Sequence, residues 1–319
     1  MIKIADAGLT TLAKEHANKV IKFVNKKAFT NAEKKYFTDE KLIEILTAKP
    51  EELSNYTQIG QPPMSLNNKV MKLAFVGSDL SGTKDGSTFG YKKFATKNEK
   101  NYDAYELAAK LNIKVCPYCN RNYTFTIQSK NGSTRPVFDH FYDKGKHPFL
   151  ALSFYNLIPS CHICNSSFKC QKPFSTKTHL HPYLDDFNSI AKFSFKPLDV
   201  AVYQKLANFD YKKLELNFEK AHIAIKDTEF AKAKKNIEDF GLCELYGEHK
   251  DIVLELIQKT EMYNDSYIDE LMKNYEGTLF KNREDLMRLI FGGYITDEEI
   301  SKRPLSKLTK DILEQLEII

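Results

Sequence analysis

The sequence predicts an α+β protein. A small cysteine-bearing module, residues 114–183, is set between a mainly helical N-terminal region, 1–113, and a C-terminal region, 184–319, that is mainly helical with a few short strands. Three observations predict it. Two Cys-x-x-Cys pairs stand with 41 residues between Cys119 and Cys161. Between the pairs, apolar residues alternate with polar ones and β-formers dominate, whereas on either side apolar residues recur at helical spacing.

In the N-terminal region, Leu9, Leu12, Val20, Ile21 and Val24 predict an amphipathic helix over 9–28. A second helix is expected over 39–48, where Thr38 can cap the start, Leu42, Ile43 and Leu46 give an apolar stripe, and Pro50 lies just beyond the end. The stretch from Gly60 to Phe94 is rich in Gly, Ser, Thr and Asn and reads as looser chain. Its Gly77–Lys84 string resembles a phosphate-binding loop but lacks the adjacent Lys-Ser/Thr pair, so it reads as an ordinary loop. Tyr105, Leu107, Ala108 and Leu111 predict a helix over 102–111.

Within the module, Tyr123–Gln128 alternates, Asn131-Gly132 supplies a turn, and Arg135–Phe138 follows, which predicts one β-hairpin ending near His140. Beyond residue 184, Phe193, Phe195, Leu214, Leu216 and Phe218 suggest short strands. From Asp227 the pattern turns helical, with Gly241 and Gly292-Gly293 as expected breaks.

A chain of 319 residues with 42% hydrophobic and 28% charged residues can bury a core of its own and is far from a disordered composition. It has no apolar run of the roughly 18 to 20 residues needed to span a membrane. Its first residues lack the apolar stretch of a secretory signal, so a cytoplasmic protein with no membrane partner is expected. The net charge is +5, but residues 114–183 hold nine Lys or Arg against two Asp and no Glu. A field concentrated there favours a polyanion.

Cys116-Pro-Tyr-Cys119 and Cys161-His-Ile-Cys164 can together offer four thiolates to one structural Zn²⁺. The competing reading is a redox site on Cys-Pro-Tyr-Cys, which needs the motif at a helix N-terminus. Asn120-Arg121-Asn122 and a β-patterned stretch follow it instead. His162 reads as a solvated side chain, and Cys170 and Cys243 as ordinary core or partly buried cysteines. His147, His179 and His181 read as structural.

With the cysteines, the string Asp139-His140, Asn156-Leu-Ile-Pro-Ser-Cys-His-Ile-Cys-Asn165 and then Lys169 resembles the cysteine-containing branch of the HNH endonuclease family. The resemblance covers about 70 of the 319 residues. It implies a ββα-metal module hydrolysing phosphodiesters of DNA or RNA. In it His140 is the general base, and Asn156 pins the loop that orients that base. Asp139, turned toward the site, and Asn165 hold a catalytic Mg²⁺ or Mn²⁺. Asn165 stands where the family name has His, which gives a neutral ligand. Lys169, one turn beyond it, is expected to meet a substrate phosphate. The run Asp139–Lys144 and the later His181-Pro-Tyr are similar to the PtuB-type nucleases of Septu and retron-associated bacterial defence systems. That similarity implies an antiviral effector working beside an ABC-type ATPase, PtuA. The alternative is a catalytically inactive, zinc-dependent nucleic-acid-binding module.

Overall fold

This computed structural model describes residues 2–4, 7–57, 68–77, 89–98 and 100–319. Much of the looser stretch from Gly60 to Phe94, and the Gly77–Lys84 string beyond its first residue, lie outside the described residues. Among the described residues helix covers 51% and strand 10%, so the mixed α+β class holds. Among the described residues no helix is long and apolar enough to cross a membrane.

The chain divides into two compact units, one of residues 3–113 and 124–185, the other of 1–2, 114–123 and 186–319. The expected boundaries at 113/114 and 183/184 therefore differ from the structure. Residues 114–123 leave the rest of the predicted module because their partners lie far along the chain. Tyr118 stacks on Phe240 with ring centroids 4.4 Å apart, and the Tyr246 hydroxyl donates to the Cys119 carbonyl at 2.5 Å. Asn120, at φ 51°, donates through Nδ2 to the Ile300 carbonyl at 3.0 Å and accepts the Lys307 amide on Oδ1 at 3.0 Å. Such a left-handed position suits Asn better than most side chains.

In the first of these units the helix Leu9–Val20 buries Leu9, Ala13, His16, Ala17 and Val20 and packs on the helix Asp39–Thr47. Thr38 caps the latter, its Oγ1 accepting the Lys41 amide at 3.3 Å. The helix expected over 9–28 stops early. Ile21–Phe23 tightens into a 3₁₀ turn and Val24 goes extended, which buries both Phe23 and Val24. Asp103 caps the helix Ala104–Leu111 through the amides of Tyr105 and Glu106.

The strands of this unit correct the single expected hairpin. β1, Ile127–Ser129, pairs antiparallel with β2, Gly132–Thr134, and there the ladder ends. Pro136 has no amide to donate and restricts Arg135 before it. The chain restarts as β3, Val137–His140, which pairs with β4, Leu157–Ser160. A helix with π-type turns, Ile163–Lys169, follows β4. β4 is buried throughout, and a run buried on both faces shows no alternation by which to read it as a strand.

Two glycines set a close approach beside these strands. A Cβ at Gly77 would lie 2.2 Å from the Phe89 carbonyl oxygen, and one at Gly90 2.4 Å from that of Phe75. Both have positive φ, so only glycine lets the helix Lys72–Val76 meet the helix Gly90–Ala95 this closely.

In the other unit β5, Ala191–Phe195, pairs with β6, Leu216–Lys220, with Phe193 opposite Phe218. The outer edge of β5 is closed by side chains of the helix Ser306–Gln315. Asp311 accepts the Phe193 amide at 2.8 Å, while Gln315 exchanges bonds with both the amide and the carbonyl of Phe195. These bonds satisfy groups that an edge strand would otherwise leave open. Helices Asp227–Asp239 through Arg283–Phe291 complete the unit, with Gly241 and Gly292 in left-handed conformations at helix ends, as the expected breaks require.

Candidate functional site

Cys116, Cys119, Cys161 and Cys164 are all buried, and their Sγ atoms lie within 4.8 Å of one another. Zn–S bonds of about 2.3 Å place the sulfurs of a tetrahedron about 3.8 Å apart, so this donor set fits one Zn²⁺. Backbone amides are already aimed at the sulfurs. Arg121 donates to Cys119 Sγ at 3.4 Å and Cys164 to Cys161 Sγ at 3.4 Å. Such bonds favour the thiolate form that a metal needs. Cys116-Pro-Tyr-Cys119 sits on a turn closed by the Val115–Tyr123 bridge, not at a helix start, so the redox reading lacks its condition. His162 is exposed. Cys170 and Cys243 are exposed as well, which corrects the expectation of partly buried or core cysteines. Cys170 ends the helix Ile163–Lys169 at φ 48°, outside the packed face.

His140 ends β3 opposite Leu157. Its Nε2 lies 3.0 Å from the Ala151 carbonyl oxygen. A carbonyl only accepts, so Nε2 carries the proton in the neutral ring and Nδ1 carries the lone pair. Nδ1 has no hydrogen-bond partner among the described residues, and the side chain as a whole is buried, 5% exposed. The edge of Tyr91 packs on the imidazole at 4.4 Å. Burial, and after it the charge of Lys144, push the imidazole well below its ordinary pKa, with Lys169 acting in the same direction and the Ala151 carbonyl against it.

Asn156 is fully buried and clamps the chain that carries this geometry. Its Oδ1 accepts the Tyr142 amide at 2.7 Å, and its Nδ2 donates to the carbonyls of Tyr142 at 3.1 Å and Leu150 at 3.0 Å. It thus ties the turn after His140 to the residue before Ala151, the acceptor of His140. Tyr183 holds β4 from behind, its hydroxyl donating to the Leu157 carbonyl at 3.2 Å. His179 stacks on Phe174 at 3.7 Å, and His181 packs on Phe141 at 4.2 Å with its pKa pushed down to about 3 by burial, both packing roles.

Asp139 and Lys169 depart from expectation together. β3 keeps its register, Asp139 opposite Ile158 and His140 opposite Leu157, so the two side chains leave opposite faces of the strand. The charge of Asp139 nevertheless reaches Tyr91 and Lys144, both neighbours of His140. Lys169, 1% exposed, meets Asp139 Oδ1 at 3.0 Å and donates to the His140 carbonyl at 2.7 Å. An ammonium so enclosed is not presented to a substrate phosphate, which corrects the role expected of it. The reason is the short helix Ile163–Lys169, whose last residue points back onto β3. Asn165, half-buried, donates through Nδ2 to Ser166 Oγ at 3.1 Å. Among the described residues the four cysteines are the one group of three or more His, Cys, Asp or Glu placed to share a metal ion. Asp139 is already paired with the Lys169 ammonium, so a divalent cation on Asp139 and Asn165 would compete with that ion pair.

Sequence reasoning missed Tyr91, the Ala151 carbonyl and Lys144 as neighbours of His140. Lys144 closes the quoted run Asp139–Lys144, but nothing in the run reveals its electrostatic reach. Three comparisons, with protein-family models, curated proteins and solved structures, give no match to this chain.

Proposed function

We propose that this protein is an HNH-type endonuclease that hydrolyses nucleic-acid phosphodiester bonds, with His140 as general base in a zinc-stapled module of ββα-metal type. The observation that carries the reading is the oriented imidazole, its Nε2 proton fixed on the Ala151 carbonyl and its Nδ1 without a partner among the described residues. A neutral, oriented imidazole of lowered pKa stays deprotonated at neutral pH and can take the proton of an attacking water. The water oxygen bonds to phosphorus as its proton passes to Nδ1, and the bond to the leaving sugar oxygen breaks, that oxygen taking a proton from solvent water. Asn156 holds the base in place through the bonds at Tyr142 and Leu150. The excess of Lys and Arg in residues 114–183 supports a polyanionic substrate.

The resemblance also implies Mg²⁺ or Mn²⁺ on Asp139 and Asn165. In this arrangement Lys169 is the cation that Asp139 answers, and no step is assigned to a divalent metal. The role of antiviral effector beside an ABC-type ATPase, in the bacterial cytoplasm, rests on the resemblance to PtuB-type nucleases. One observation favours the second reading, a catalytically inactive zinc-dependent nucleic-acid-binding module: the enclosure of both Asp139 and Lys169 in one ion pair.

Incubation of zinc-loaded protein with plasmid, single-stranded DNA and total RNA, each with and without Mg²⁺ or Mn²⁺, separates the two. Cleavage in any arm that a His140→Ala variant fails to give supports the nuclease. Binding without cleavage in every arm supports the inactive module.

A further inference from the structure

Lys169 is withdrawn from substrate, which leaves the question of what meets the phosphates next to His140. A cleft of about 770 Å³ in the same unit is lined by Lys69, Lys72, Leu73, Val76, Asp143 and Lys144. That volume falls within the roughly 300 to 1,000 Å³ of sites that enclose small ligands. Its wall is the helix Lys72–Val76, held by the Gly77 and Gly90 backbone approach. Leu73 and Val76 give its lining an apolar part.

The rim is cationic. Lys69 and Lys72 are exposed, and the Lys72 ammonium has no ion-pair partner among the described residues. The one carboxylate in the lining, Asp143, accepts the amides of Gly145 and, at 3.1 Å, Lys146 on Oδ1, and its charge also acts on Lys144. Lys144 joins the cleft to the imidazole. Its Nζ lies 5.4 Å from the centroid of the Tyr91 ring, whose edge packs on His140 at 4.4 Å.

We infer that this cleft binds an unpaired nucleotide of a single-stranded polynucleotide, its base on Leu73 and Val76 and its phosphates on Lys69, Lys72 and Lys144, next to the bond at His140. The inference rests on the nuclease reading for its last clause alone. A partly apolar lining with a lysine rim suits a base and its backbone together. A base in a duplex reaches such a cleft only by leaving its stack, a cost that paired substrates bear and single strands do not. DNA and RNA share this chemistry.

The test is fluorescence anisotropy with full-length, zinc-loaded protein in magnesium-free buffer, using a labelled single-stranded 12-mer of RNA, the same sequence in DNA, and the DNA duplex. Lys69→Glu/Lys72→Glu changes two exposed side chains, and Lys212→Glu/Lys213→Glu, also exposed, is a control of equal charge. We expect the cleft variant to weaken single-strand binding at least about tenfold, with duplex binding and the control changed no more than about threefold. Preference for RNA or for DNA identifies the source and supports the inference in either case. Equal loss on single strand and duplex, equal loss in the control, or no loss at all overturns it. Binding is read without turnover, so intact single-strand selectivity in a protein that cleaves nothing refutes the nuclease and leaves the cleft.

Discussion

Lys307 and Lys169 are each at most 1% exposed, and each is paired with one aspartate, yet the two regions use the pair differently. Lys307 donates to Asp311 and Asn188 at 2.8 Å each, and Asp311 in turn accepts the Phe193 amide, so the network closes the β5 edge. Burial pushes the Asp311 carboxyl up, and Lys307 pulls it back. Every strong group there is answered by another. Lys169 also holds an aspartate, but its second bond goes to the carbonyl of His140, whose own Nδ1 has no partner among the described residues. A buried ion pair is therefore no signature of function by itself, since its cost and its attraction nearly cancel. What distinguishes the second region is the unanswered lone pair beside it.

The largest expected effect sets a baseline outside both pairs. Cys116→Ser or Cys161→Ser should reduce zinc from about one per chain to none and unfold the surrounding chain. Structural Zn²⁺ binding is worth about 10 to 16 kcal/mol in small zinc modules, and that energy is folding energy. Elemental analysis with circular dichroism checks this, and zinc-free protein of unchanged fold would contradict the metal reading.

The next effect bears on the comparison itself. Lys307→Met and Lys169→Met should each destabilise the protein by about 3 to 5 kcal/mol, because each leaves a buried carboxylate without its partner. Urea melts measure that. The two should then separate in activity. Folded Lys307→Met should cleave at the parent rate, whereas Lys169→Met, which frees the carbonyl at the end of β3, should lose up to about 100-fold through misplacement of the base. Equal activities would erase the distinction drawn between the two regions.

The sequence made one part of this legible and hid another for physical reasons. Cysteine spacing announces a four-thiolate cluster because metal geometry tolerates few spacings, and Thr38, Gly241 and Gly292 mark helix ends through local chemistry. That Asn156 clamps the chain near His140 was implied by the family resemblance and not by its position. Strand pairing was hidden, since a period-two pattern says which residues form strands but not which strand they meet, and Pro136 redirected β3 to β4. The partition of the chain was hidden too, because residues 114–123 are claimed by Phe240, Tyr246 and Lys307 through contacts more than 100 positions away. The withdrawal of Lys169 depends on how a seven-residue helix meets a strand, which no spacing encodes. The same holds for the Ala151 carbonyl, a backbone group with no letter of its own.

The central claim is that His140 acts as general base through Nδ1. The most direct measurement is the single-turnover cleavage rate of His140→Ala against the parent on whichever nucleic acid the parent cuts, with zinc content and urea midpoint recorded for both. The account predicts a rate lower by about 10² to 10⁴, the usual cost of a lost general base, at unchanged zinc content. A variant that cleaves at the parent rate with its zinc in place would contradict it.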